Sequence, residues 1–296
     1  MSNSIRIRVC GQTRAITESD ETVEKLGGKP RQVLEILALS VGRPVSKDRL
    51  AQLLWGDEPP AKYVGTIESY VCVLRRLLGS QGRDSVVQTT TTGYLLRRDR
   101  VVVDLDMSRR LLHRARSAGA ADIERLVEAA FALLDGELLA SETKAAWVRA
   151  ERALVERELV EVLSDVAEHA LELGEVALAV RLAAEVVVRD PLAERAYQVQ
   201  LRGFLAQQRT GEALACYASL RETLRDELGT EPTAETRRLY EQALAGARRP
   251  SETSSRADLA TLVRLLRQAL ESTPGVRVPE RDEPLTALAV RVLQAA

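Results

Sequence analysis

KPRQVLEILALSVGRPVSKDRLAQLLWGDEPPAKYVGTIESYVCVLRRLL, residues 29–78, reads as three amphipathic helices separated by two short breaks. Pro44, Val45 and Ser46 put a proline and then a hydroxyl N-cap just before an apolar-periodic run, Leu50, Leu53, Leu54 and Trp55. That helix must end at Gly56-Asp57-Glu58-Pro59-Pro60, since prolines lack the amide donor and push the preceding residue out of the helical region. The third helix is predicted from about Thr66 to Leu78, with Ile67, Val71, Leu74 and Leu78 spaced to form one buried stripe. Trp55 is expected to fill the core, and Tyr70, on the stripe's edge, either to pack or to touch phosphate. Helices so arranged predict a helix-turn-helix.

The flanks are β in character. Ile5, Ile7 and Val9 alternate with Arg6 and Arg8, the period of a half-buried strand, and residues 11–26 read as further short strands and turns. After the helices, Val86 to Leu96 carries Thr89 to Thr92 and then Gly93, which suits two strands joined by a tight turn. A second β run, Val101-Val102-Val103, leads into Asp104. Strands, three helices and a hairpin in this order describe a winged helix.

From Leu105 onward the pattern is helical. Helices are predicted over 105–118, 122–134, 147–173, 176–189, 192–208, 211–228 and 233–245, with Gly174, Asp190-Pro191 and Arg209-Thr210-Gly211 among the breaks. Leu173-Gly174-Glu175-Val176-Ala177-Leu178-Ala179 and Arg209-Thr210-Gly211-Glu212-Ala213-Leu214-Ala215 are alike, and aligning Gly174-Glu175 with Gly211-Glu212 gives a period of 37 residues, close to a tetratricopeptide unit, where small residues let paired helices pack closely. Residues 250–255 read as a linker, followed by two short amphipathic helices, 257–270 and 285–295. The fold class is therefore mainly α with a small β component. Residues 1–104 form a winged helix-turn-helix, 105–246 an all-α tetratricopeptide-like bundle, and 247–296 a linker with a helical extension.

Composition agrees with a helix-rich protein, since aromatics make up only 3% of 296 residues and the composition disfavours a large all-β architecture. The net charge of −1 is unevenly spread: residues 1–106 hold 16 Lys and Arg against 13 acids, leaving 26 against 30 for the remainder. Cys10, Cys72 and Cys216 stand far apart without metal-ligand spacing, and His113 and His169 sit inside helical pattern without a partner. The nucleotide-binding, nucleophile-elbow and zinc-protease signatures GxxxxGK[ST], GxSxG and HExxH are missing, as is GxGxxG. No catalytic residue, metal or cofactor is expected. With no signal-peptide pattern and no long apolar run, the expected location is the cytoplasm, on the nucleoid, with no membrane contact.

Four motifs carry a resemblance: Leu26-Gly27-Gly28-Lys29-Pro30-Arg31-Gln32-Val33-Leu34, Leu54-Trp55-Gly56-Asp57-Glu58-Pro59-Pro60, Leu74-Arg75-Arg76-Leu77-Leu78-Gly79 and Thr92-Gly93-Tyr94-Leu95-Leu96. In order and spacing they resemble the DNA-binding domain of the Streptomyces antibiotic regulatory protein family, itself similar to the winged helix of OmpR-type response regulators. Asp190-Pro191-Leu192-Ala193-Glu194-Arg195, Gly211-Glu212-Ala213-Leu214-Ala215-Cys216-Tyr217 and Leu224-Arg225-Asp226-Glu227-Leu228-Gly229-Thr230-Glu231-Pro232 resemble the bacterial transcriptional activation domain that follows it. The resemblance spans residues 5–246. It implies a transcriptional activator, of a secondary-metabolite (antibiotic) gene cluster, that binds direct repeats in double-stranded DNA near promoters as side-by-side protomers and engages RNA polymerase and its sigma factor.

A helical wheel places the DNA-facing residues. With the stripe turned to the core, Ser69, Cys72, Val73 and Arg76 point outward, with Thr66 and Lys62 beside them. Arg76 suits a guanine edge or a phosphate, and Val73 a thymine methyl. Arg75 and Glu68 fall on the flank. Supporting contacts are expected from Lys47 and Arg49 at the second helix, from Thr90, Thr91, Thr92, Arg97 and Arg98 at the wing, and more weakly from Arg43. Where Val73 stands the family usually carries a basic residue, and where Glu68 stands often an uncharged one. Both departures reduce phosphate contact. They favour an alternative, an adaptor or ligand-sensing protein whose winged helix no longer reads DNA.

Overall fold

The computed structural model describes residues 5–17, 22–23, 26–79, 85–142 and 145–248. The alternating N-terminal segment forms β1 (Ile5–Arg8), with Ile5 and Ile7 buried and the arginines exposed. β1 pairs antiparallel with β2 (Arg14–Ile16). The three helices follow as α1 (Gly28–Leu39), then α2 (Lys47–Trp55) after the short β3 (Val45–Ser46), then α3 (Tyr63–Leu77). Ser46 is the N-cap of α2, its Oγ accepting from the Arg49 amide at 3.1 Å. Ile67, Val71, Leu74 and Leu78 are all buried, as the stripe requires. α3 begins three residues before the expected Thr66. There the Tyr63 amide donates to Pro60 O at 2.9 Å and its hydroxyl donates to Asp48 of α2 at 2.7 Å, contacts that periodicity does not encode. Trp55 and Tyr70 are partly buried against the core, ring centroids 6.3 Å apart.

The wing is β4 (Val87–Thr89) and β5 (Gly93–Leu96), joined by a turn at 90–92. β5 lies between β4 and β3, so the wing's base is stitched to the start of α2. Gly93 sits opposite Ser46, and a Cβ on it would stand 1.9 Å from Val45 O. β6 (Val101–Val103) returns to the other side of β1, in parallel, and runs straight into α4 (Asp104–Ala115). Asp104 is buried, and its carboxylate accepts from the amides of Val9 and Cys10 at 3.0 Å. Burial raises its pKa while those amides, which favour the charged form, oppose the rise.

The helices after β6 are α4, α5 (Ala120–Phe131), α6 (Ala146–Glu172), α7 (Val176–Arg189), α8 (Glu194–Ala206), α9 (Thr210–Leu228) and α10 (Ala234–Arg248), each within a few residues of its predicted bounds. From α6 onward each packs on the next. Close packing at the α7–α8 crossing depends on Gly203, where a Cβ would come 2.4 Å from Val180 Cγ2. Tyr217 and Tyr240 stack at 4.1 Å between α9 and α10. His169 Nε2 lies 2.8 Å from Ala118 O, a structural tie between α6 and the turn that follows α4.

One apolar core runs without interruption from Ile5 to Val199, so winged helix and bundle share it. The segment between α5 and α6 explains how. Leu139 N donates to Val9 O at 2.7 Å, Gly11 N to Glu137 O at 2.9 Å and Ala140 N to Gly11 O at 3.0 Å, laying this loop along the continuation of β1. Leu139 is fully buried there. Arg31 and Gln32 of α1 then grip Glu142, each at 2.6 Å. The linker and the two tail helices expected beyond 248 lie outside the described residues.

Candidate nucleic-acid interface

α3 is positioned by its buried stripe, and its opposite face is open. Lys62, Ser69, Cys72 and Arg76 are exposed there, with Thr66 and Val73 partly buried at its margin. The guanidinium of Arg76 and the ammonium of Lys62 have no partner among the described residues. The two hydroxyls are engaged with the helix itself, Thr66 donating to Lys62 O at 3.1 Å and Ser69 to Gly65 O at 2.9 Å. Their lone pairs are what they present outward.

The cations around this face are divided between two duties. Arg75, expected near the DNA backbone, instead clamps α3 to the wing: its Nε and Nη2 donate to Val87 O at 3.0 and 2.8 Å, and Nη2 donates also to Thr89 Oγ1 at 2.8 Å. Arg97, expected to serve the wing, makes a two-pronged pair with Asp99 at 3.1 and 2.6 Å. Arg98 bonds to Val41 O and to Asp106 of α4, fastening the wing's base to the bundle. Lys47 donates to Glu68 at 2.6 Å and lies 5.9 Å above the Tyr94 ring. The Glu68 hydrogen bond raises the Lys47 pKa, so the ammonium stays charged but spoken for. Arg49 is exposed and bonds to Gln52 one turn on at 2.8 Å. Arg43 is exposed and lines a cleft of about 450 Å³ with residues of α4 and α6.

The tip of the wing is well ordered by its threonines. Thr90 N donates to Gly93 O at 2.9 Å, Thr90 Oγ1 accepts from Gly93 N at 3.1 Å, and Thr92 O accepts from Lys47 N at 3.3 Å. Thr91 is exposed at the apex. The clamping role of Arg75 had one sequence signal, its place on the same flank of α3 as Glu68. The destination of Arg98 had none, because Val41 and Asp106 are brought to it only by the tertiary fold; that of Arg97 had one, since Asp99 stands two residues after it.

Residues 21–96 match the family described as "Transcriptional regulatory protein, C terminal", and residues 103–244 the one described as "Bacterial transcriptional activator domain". The transcriptional regulatory protein MoaR1 of Mycobacterium tuberculosis is 32% identical over 224 residues, covering 73% of this chain and 72% of that protein. The regulatory protein DnrI of Streptomyces peucetius is 30% identical over 234 residues, covering 75% of this chain and 86% of that protein. The chain belongs to the Streptomyces antibiotic regulatory protein family. Members of this family are transcriptional regulators, not enzymes. The regulatory protein AfsR of Streptomyces griseus is 30% identical over 82% of this chain, which spans only a quarter (25%) of its length. A solved structure of Mycobacterium tuberculosis EmbR, in complex with a low-affinity phosphopeptide, superposes over 93% of this chain and 74% of that one with a TM-score of 0.67 at 24% identity, and so supports the fold. No helix among the described residues is long and apolar enough to cross a membrane.

The Lys47–Glu68 pair limits what Lys47 could offer to any phosphate that approached this face. An ammonium already bonded to a carboxylate gains less from a phosphate than a free one does. Glu68→Gln is therefore expected to tighten DNA binding several-fold and to steepen its salt dependence by roughly one released counterion. Titrations with a labelled duplex at several salt concentrations measure both. Equal slopes for the two proteins would show that Lys47 does not reach phosphate.

Proposed function

We propose that the chain is a sequence-specific DNA-binding transcriptional activator that reads the major groove with the outward face of α3. The observation that carries this reading is the Arg76 guanidinium, unpartnered among the described residues, on a helix fixed by its buried stripe and by the Arg75 clamp to the wing. A fixed helix with a free planar donor fork suits bidentate contact with guanine O6 and N7. Lys62, Arg49 and the Thr90–Thr92 tip surround it as phosphate contacts. By analogy with the family, the operator is a set of direct repeats near the promoters of a secondary-metabolite cluster. Protomers lie side by side on it, and the bundle engages RNA polymerase and its sigma factor in the cytoplasm.

Footprinting over the upstream regions of neighbouring genes tests this reading. Repeated protected segments support it, and complete absence of protection at low salt sinks it. Arg76→Ala is expected to lose about 1 to 3 kcal/mol on the protected duplex and less on random sequence, as befits a base contact. Unchanged affinity would mean that the recognition face lies elsewhere. One observation favours the alternative of an adaptor with a purely structural winged helix. Lys47, Arg75, Arg97 and Arg98 all spend their charge inside the protein. The footprint separates the two.

A further inference from the structure

Gly65 is the third residue of α3 and lies on its exposed, outward face, one turn before Ser69. Two other glycines of this fold have an evident structural reason. At Gly93 a Cβ would strike Val45 O, and at Gly203 it would strike Val180. At Gly65 no atom of the described residues beyond its chain neighbours and its own helix backbone lies within 4 Å of where a Cβ would stand, and its φ is not in the left-handed region; among the helix-interior glycines Gly211 of α9 shares this, but Gly65 alone lies on the outward face of α3. Neither packing nor backbone conformation calls for glycine, although glycine weakens a helix relative to alanine through the freedom it gives the unfolded chain. Among the described residues no packing contact offsets that cost. Lys62, one turn earlier on the same face, is exposed with its ammonium unpartnered among the described residues.

Taking as given that this face of α3 meets DNA, we infer that Gly65 is the point of closest approach, where a sugar–phosphate strand lies against the bare helix beside Lys62. A side chain there would hold the strand off by about the width of a methyl group. It would push the whole of α3 out of the groove, because a rigid helix cannot yield locally. The contact is with the backbone of the nucleic acid, so its loss is felt on every sequence.

Gly65→Ala in the full chain tests the inference with two readouts that move in opposite directions. Thermal denaturation of the free protein is expected to show a midpoint raised by a few degrees, since alanine is the better helix former. Affinity for the footprinted duplex and for a random duplex of equal length is expected to fall at least tenfold on both, and Gly65→Met is expected to bind more weakly still. Wild-type binding with no loss in the alanine variant overturns the inference and leaves the proposed function standing. Failure of the wild type to bind any duplex overturns the proposed function instead. A lowered midpoint shows that the fold itself needs the glycine, and a loss confined to the footprinted duplex shows a base contact; either result overturns the assignment.

Discussion

Gly93→Ala is expected to destabilise the fold by about 3 kcal/mol, at the upper end of overpacking effects, and to abolish DNA binding. The new Cβ would stand 1.9 Å from Val45 O and 2.8 Å from Ser46 Cα. Both obstacles are main chain, so no rotamer change relieves them, and β3 must move away from β5. Three features go with it: the Val45–Tyr94 pairing, the Ser46 cap on α2, and the bond from Lys47 N to Thr92 O that ties the wing tip to α2. Urea denaturation followed by circular dichroism, with DNA titration on the folded fraction, measures both effects. An unchanged urea midpoint would mean that the β3–β5 pairing tolerates separation and that the wing is not held as described. The contrast with Gly65 is instructive, because the same substitution is expected to lower stability at one position and raise it at the other.

Glu35→Gln is expected to stabilise the protein by up to about 3 kcal/mol at pH 8 and by little at pH 4.5. Glu35 is fully buried on α1, and its Oε1 accepts from Thr13 Oγ1 at 2.6 Å while its Oε2 has no hydrogen-bond partner. Removal from water raises its pKa from the ordinary carboxylate range to about 7. The Thr13 bond opposes the rise, the nearby Glu142 adds to it, and Arg31 again opposes it. Arg31 is shared: its Nε lies 3.4 Å from Glu35 while its Nη2 bonds Glu142 at 2.6 Å. The folded pKa of an acid raised above the unfolded value means that the folded state keeps a proton the unfolded chain has released. That contribution to stability is fully present below the unfolded value and is lost as pH rises through about 7. Glutamine preserves the acceptor for Thr13 and carries no charge to bury. Urea midpoints of both proteins between pH 4.5 and 8 should diverge steadily as pH rises; parallel curves would show that Glu35 is ionised throughout. The experiment also reports on the joint between winged helix and bundle, because Arg31, Glu35, Gln32 and Glu142 are the groups that close it.

Much of the architecture was legible because helices are written locally. The cap at Ser46, the stop at Gly56, the prolines at 59 and 60 and the apolar spacing of Ile67, Val71 and Leu74 all act within a few residues of themselves, and the structure places α2 and α3 accordingly. The helices of the bundle follow the same rule. The wing was legible for a related reason: four threonines and a glycine specify a tight turn by their own conformational preferences. The outward set on α3 was also within reach, since a helical wheel needs only the core stripe as its reference.

What lay beyond the sequence was where each charge ends. Arg75, Arg97, Arg98 and Lys47 are all basic residues near the wing, and beyond the flank position of Arg75 and the neighbouring Asp99 of Arg97 little in their local context distinguishes them from Arg76. The tertiary structure does, by bringing Val87, Val41, Asp106 and Glu68 within hydrogen-bonding distance of Arg75, Arg98 and Lys47, while Arg97 pairs with the nearby Asp99 and Arg76 has no partner among the described residues. The same holds for the parallel pairing of β1 with β6 and for the loop at 137–140 that extends the sheet. Propensity and periodicity are properties of neighbouring residues and survive in the unfolded chain. Pairing of a guanidinium with one carboxylate rather than another falls off within a few ångströms, so it exists only once the fold has set the distances. By itself, then, the sequence determined which segments become helices, strands and turns and which face of α3 is open. Only the tertiary structure decided which cations on and around that face are still available to a phosphate.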